Sequence, residues 1–176
     1  TGGAVVGDAA KQRYQSLGID LEEVKQSLLA VNNLALEGKP EDMVITSHIC
    51  RGNYHSTYFT SGPYDSVADY VFAKENVDAL FLEYDDERSG GFAPLAKVSP
   101  DKKVVLGLIT TKTPELEDKK EVIERIHEAA KYIPLERLCL SPQCGFASCE
   151  IGNKLTEEQQ WAKLKLVKEI AEEVWG

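Results

Sequence analysis

Basic residues are in the minority here: 20 Lys and Arg stand against 29 Asp and Glu, a formal net charge of −9. A nucleic acid is a dense row of phosphates that selects for excess cations, so this balance argues against nucleic-acid binding. No apolar run approaches the roughly 18 residues that span a bilayer, and the first residues lack the basic-then-apolar pattern of a secretory leader. A cytoplasmic protein is expected. Cysteine is scarce, with four in 176 residues. Two disulfides are arithmetically possible, but dependence on bridges belongs to small secreted domains, so reduced thiols are expected. Aromatic residues are few, yet an apolar content of 43% is enough for a sizeable core. Repeats, low-complexity segments and linkers are lacking too, which leaves one α/β unit over 1–176.

The apolar residues are clearly patterned. Residues 1–7 are too rich in glycine for a regular element and read as a loose end. Over 20–37, Leu21, Val24, Leu28, Val31, Leu34 and Ala35 recur at helical spacing, with Asp20 as N-cap and Gly38 just past the end. Residues 43–47 form a short apolar run, expected to be a parallel strand covered on both faces. A turn cluster at 61–66 precedes a helix through Val67, Ala68, Val71 and Phe72. Residues 77–83 read as a buried strand ending in a carboxylate, and 104–109 as a third strand. The helix after it, over about 115–133, places Val122, Ile123, Ile126, Ala129, Ala130 and Ile133 on one side. The fourth strand is 138–141. Thr156-Glu157-Glu158-Gln159 is a capping box opening a helix expected to bury Trp161, Leu164, Val167, Ala171 and Val174. One helix followed by four strand-then-helix units implies right-handed crossovers and a parallel sheet. Two architectures fit: an open doubly wound sheet, or four consecutive units of a (β/α)8 barrel.

In both, functional side chains gather just beyond the carboxyl ends of the strands. His48 and Cys50 lie at the end of the first strand, Glu83 ends the second, and Cys144 follows the fourth. Residues two apart leave the same face of an extended segment, so His48 and Cys50 can point at one ion. An imidazole, two thiols and a carboxylate make a nitrogen, sulfur and oxygen donor set, and thiolates favour zinc over hard ions. The ligands are spaced far more widely than in a zinc finger, as suits donors gathered from separate strands.

Three segments carry a resemblance: Ser47-His48-Ile49-Cys50-Arg51-Gly52-Asn53, Phe81-Leu82-Glu83-Tyr84-Asp85-Asp86-Glu87-Arg88-Ser89-Gly90 and Leu140-Ser141-Pro142-Gln143-Cys144-Gly145-Phe146. In this order they resemble the C-terminal catalytic domain of cobalamin-independent methionine synthase, most of all its short, single-barrel branch, and the similarity runs from about Lys11 to Trp175. The resemblance implies a (β/α)8 TIM barrel of which 1–176 is the C-terminal half, a partial domain partnered by a missing N-terminal half. It implies zinc held by His48, Cys50, Glu83 and Cys144, and methyl transfer from 5-methyltetrahydrofolate to the thiol of homocysteine, giving methionine. Coordination would supply the thiolate that a free thiol mostly lacks at neutral pH. Glu83, as the hardest donor, is expected to shift when substrate sulfur binds. Other readings stay open: the same chemistry with a methylcorrinoid, a methylthiol compound or coenzyme M, or a closed structural zinc site.

The remaining candidates have plainer readings. Cys139, inside an apolar strand, is expected to be a core thiol, and Cys149 to be a poorer ligand than Cys144. His55 and His127 read as structural or solvated. Asp85 and Asp86 follow Glu83 on the rim and are candidates for orienting a ligand or a substrate amine, Asp85 being assigned the catalytic role beside Glu83. Arg51 either pairs with that acidic cluster or steadies a substrate carboxylate. Gly107 reads as a packing accommodation within its strand.

Overall fold

The structure, a computed structural model, describes residues 5–176. The loose end expected at 1–7 falls mostly outside the described residues. Its last part is not loose, because Val5 and Val6 are buried and helix α1 (Gly7–Ser16) begins directly after them. Only Ala10 of α1 is buried, so the helix carries no apolar stripe from which a sequence reading could find it.

Helix α2 (Leu21–Ala35) is capped by Asp20, whose side chain accepts from the Glu22 amide at 2.8 Å. It packs through Leu21, Val24, Lys25 and Leu29, and the rest of the predicted stripe faces outward, with Val31 62% and Leu34 63% exposed. The first strand, β1 (Thr46–Ile49), starts three residues later than expected. It is not covered on both faces either: Ile49 is buried while Thr46 and His48 are open, and among the described residues β1 is an edge strand beside β2. The helix after the turn cluster is short, α3 (Asp65–Val67), and widens into a π-helical turn at Ala68–Phe72.

Three further strands complete the sheet: β2 (Ala79–Glu83), β3 (Lys103–Ile109) and β4 (Leu138–Pro142). All pairings are parallel and the order is β1-β2-β3-β4, without reversal. A doubly wound sheet reverses its order at a switch point, so an unreversed run is the signature of consecutive barrel units. Helix α4 (Lys119–Ala129) is shorter than expected because the Asp118 carboxylate caps the Lys120 and Glu121 amides, which leaves 115–117 as loop. Helix α5 (Glu157–Trp175) opens on the predicted capping box. Its most buried residues are Lys163, Leu166 and Ile170, whereas Trp161 is 59% exposed. The stripe is displaced because Lys163 Nζ turns inward onto the Glu117 carboxylate at 3.0 Å and the Glu115 carbonyl at 2.7 Å.

Gly107 is the packing accommodation that its place in β3 suggested. A Cβ there would sit 2.8 Å from Gln143 Cα and 2.9 Å from the Leu82 carbonyl oxygen, both backbone atoms that cannot swing away. The β3–β4 register shifts just beyond it, between Gly107 and Ile109, which sets where the chain bearing Cys144 leaves the sheet. Gly107→Ala is expected to destabilise the fold by about 1–3 kcal/mol. A lower urea midpoint at unchanged slope would show it, and an unchanged midpoint would mean that the strands part without cost.

Candidate metal centre

Register brings the donors together. His48 pairs with Phe81 across β1 and β2, and Glu83 is the last residue of β2, so both reach the carboxyl rim from adjacent strands. Cys50 lies just after β1 and Cys144 just after β4. One ligand atom from each of His48, Cys50, Glu83 and Cys144 falls within 4.8 Å of the others. Cys139 and Cys149 are outside this group. Cys139 is half-buried rather than a core thiol, since it lies in register with Val105, Phe81 and His48 on the less covered face of the sheet.

Glu83 is the deepest of the four, with no exposed surface. Its backbone is held by the Tyr64 hydroxyl, which accepts from the Glu83 amide at 2.9 Å and donates to the Glu83 carbonyl at 3.2 Å; Ser89 Oγ also donates to that carbonyl. The carboxylate has Arg88 Nη2 at 3.5 Å from Oε2 and His48 Nε2 at 3.4 Å from Oε1. Buried Oε1 has only this long contact with His48 among the described residues, which suits an oxygen placed for a cation. Arg88 is the organiser of the acidic cluster. It pairs with Asp85 Oδ1 at 2.7 Å and with Asp86, and its guanidinium lies over the Tyr58 ring at 4.9 Å. Burial pushes the Asp85 carboxyl above the usual range, against the pull of Arg88. Arg51 does not join the cluster. It is buried and stacks on the Tyr64 ring at 4.2 Å, behind the residue that holds Glu83. His55 has a φ of 44° and sets Nδ1 3.1 Å from the Gly152 carbonyl oxygen, while His127 is exposed near the end of α4.

Without an ion these groups share protons unequally. Burial opposes a charge on His48, but hydrogen bonds and the negative charges of Cys50 and Glu83 outweigh it and raise the imidazole to about 9. A hydrogen bond from Cys144, then one from His48, holds Cys50 far below the ordinary thiol range. The same contact with Cys50, with burial, pushes Cys144 well above it. These contacts favour the thiolate of Cys50, a form that an ordinary thiol loses about tenfold per pH unit below about 8.5. In metal-free protein at pH 6, iodoacetamide is expected to label Cys50 ahead of Cys139, Cys144 and Cys149, as read by peptide mass spectrometry. Faster labelling of any other cysteine would contradict this charge arrangement.

Several residues of the rim escaped sequence reasoning. Tyr64 lies in the turn cluster and Arg88 within the second motif, but neither position signals what its side chain holds. Lys112 does have a signal, because Thr110-Thr111-Lys112 directly follows β3 and so occupies the same kind of strand-end position as the four donors.

Residues 24–173 match the family described as Cobalamin-independent synthase, Catalytic domain. Two Bacillus subtilis proteins, Uncharacterized protein YxjG and Uncharacterized protein YxjH, are each 52% identical, over 93% and 96% of this chain and 44% and 45% of their own lengths. A Listeria monocytogenes structure assigned as a vitamin-B12 independent methionine synthase is 42% identical with a TM-score of 0.70, covering 90% of this chain and 43% of that one. A B12-independent methionine synthase from a Shewanella species, solved in complex with selenomethionine, shares the fold at 24% identity and a TM-score of 0.69, over 87% of this chain and 44% of that one. The chain thus spans less than half the length of these relatives, and its four parallel strands correspond to half of a TIM barrel, although two 3-10 turns, Glu87–Ser89 and Ala93–Lys97, stand where a helix was expected between β2 and β3. With its sheet order, rim chemistry and sequence all in agreement, the chain belongs to the cobalamin-independent synthase catalytic-domain family.

Proposed function

We propose that this chain carries the zinc-binding half of a cytoplasmic methyltransferase site that transfers a methyl group from 5-methyltetrahydrofolate to the thiol of homocysteine, forming methionine. The observation that carries this reading is the cluster of His48, Cys50, Glu83 and Cys144 within 4.8 Å, set beside an open cleft of 420 Å³ lined by His48, Phe81, Gln143 and Cys144 among others. Two thiols, one imidazole and one carboxylate suit zinc, and the buried Glu83 Oε1, which faces His48 Nε2 at 3.4 Å, fits the same ion. An open side favours an exchangeable position over a closed structural shell. Zinc bound there supplies the charge that keeps a substrate thiol deprotonated near neutral pH.

The chain's own residues prepare that site. Tyr64 and Ser89 fix the backbone of Glu83 so that its carboxylate meets the ligand group at a set depth. Asp85 acts as a positioning residue, because it anchors the Arg88 guanidinium that also faces Glu83 Oε2. Phe81, in register beside His48, forms an apolar wall of the cleft that limits water near the reacting sulfur.

Elemental analysis of the purified, reduced chain is expected to find about one zinc per chain, with Cys144→Ser losing most of it. X-ray absorption should show one added sulfur neighbour when homocysteine is supplied. Retained zinc that gains no sulfur would mark a closed structural site instead. The site should also take up zinc more tightly as pH rises toward about 9, because the raised His48 and Cys144 favour protons that ligation must displace. Calorimetry at pH 7 in two buffers of different ionisation enthalpy reads this proton release, and buffer-independent heats would refute it.

A further inference from the structure

Lys112 is a buried ammonium without a contacting carboxylate among the described residues. Its Nζ donates to the Gly52 carbonyl at 3.1 Å and to Asn53 Oδ1 at 3.0 Å, both neutral acceptors. Such a placement is costly, since burial disfavours the charged form. Glu83 and Asp85 favour that charge, as does Cys144 once it is ionised, and Arg88 opposes it. Lys112 is therefore held by two neutral oxygens of the Cys50 loop, with the rim carboxylates Glu83 and Asp85 favouring its charge from further away.

Asn53 extends the same connection. Its Nδ2 donates to the Gly145 carbonyl at 2.6 Å and to Ser148 Oγ at 2.8 Å, while Oδ1 accepts from Lys112 and from Asn153 Nδ2 at 2.9 Å. All the hydrogen-bonding capacity of this buried amide is used. Asn153 Nδ2 also donates to the Thr111 carbonyl at 2.8 Å, and the Thr111 amide and hydroxyl both donate to Gln143 Oε1 at 2.9 Å. These bonds tie together the loops that follow β1, β3 and β4. Gly52 and Asn53 lie just past Cys50, and Gln143 and Gly145 flank Cys144. Loops otherwise hold side chains poorly, and the two thiols come from two different loops.

We infer that Lys112 and Asn53 are positioning residues of the metal centre: together they strap the Cys50 loop to the Cys144 loop at ligand spacing, and Lys112 offsets the excess negative charge of two thiolates and a carboxylate. This rests on the zinc reading above, although neither residue touches the ion. Groups of this kind usually change metal affinity by about 10–100-fold when removed.

The test uses the full chain, with the parent, Lys112→Met, Lys112→Arg and Asn53→Ala compared under reducing conditions. Zinc affinity is read by competition with a chromophoric chelator, and cobalt(II) is substituted to read the thiolate-to-metal absorption. Circular dichroism of the metal-free forms checks the fold. Lys112→Met and Asn53→Ala are expected to bind zinc about 10–100-fold more weakly than the parent while keeping the metal-free fold. The cobalt spectrum should lose thiolate absorption, and Lys112→Arg should recover part of the affinity by restoring charge. If one variant fails to fold, the other decides. A parent that binds zinc alongside folded variants of equal affinity and unchanged cobalt spectrum overturns this inference alone; a parent that binds no zinc overturns the zinc reading as well.

Discussion

An ionised carboxylate taken out of water costs several kcal/mol unless charge and hydrogen bonds replace its hydration, and the rim of this protein is arranged around that requirement at Glu83. The strand that carries Glu83 is buried along its length, so its side chain cannot retreat to solvent. Tyr64 and Ser89 saturate its backbone, Arg88 faces one carboxylate oxygen and His48 faces the other. Behind them Arg51 stacks on Tyr64, and Tyr84 and Phe92 continue the aromatic packing with ring centroids 5.1 and 4.7 Å apart along the series. Much of the polar burial in this half of the molecule therefore has a single origin.

The four donors do not come from one motif but from the geometry of parallel strands. Each strand runs the same way, so each delivers its end to the same rim, and the unreversed order places β1 and β4 at opposite edges of the sheet. Cys50 and Cys144 must then meet from the two edges through loops. That explains why the polar network of Asn53, Lys112, Asn153, Thr111 and Gln143 lies where it does: sheet hydrogen bonds end before the thiols, and side-chain bonds take over. Gly107 belongs to the same account, since the close approach of Gln143 at that point directs the chain toward Cys144.

Much of this was legible in the residues. The alternation of apolar runs and helical stripes indicates the four parallel strands, though the crossover from β2 to β3 is two 3-10 turns and not the expected helix, and donor-type side chains at strand ends single out His48, Cys50, Glu83 and Cys144. Helix α1 was not legible, because a helix with one buried residue has no stripe. Val31, Leu34 and Trp161 were apolar residues without cover, and Lys163 was a charged residue with deep cover. In each case burial depends on neighbours remote in sequence, such as Glu117 for Lys163, which periodicity does not encode. Lys112 sits at a strand end, yet lysine at a loop is ordinarily solvated, and its burial follows from acceptors 59 and 60 residues away.

The sequence by itself determined the four strands, the helices with an apolar stripe and the donor side chains at the strand ends, because hydrophobic period and strand direction are local properties that survive without knowledge of the neighbours. Only the tertiary structure decided that the donor atoms of the four residues come within 4.8 Å of one another, that Arg88 rather than Arg51 serves the acidic cluster, and that Lys112 and Asn53 join the two thiol loops. Those outcomes depend on distances between strands and loops far apart in the chain, which are set when the sheet assembles and its register is chosen.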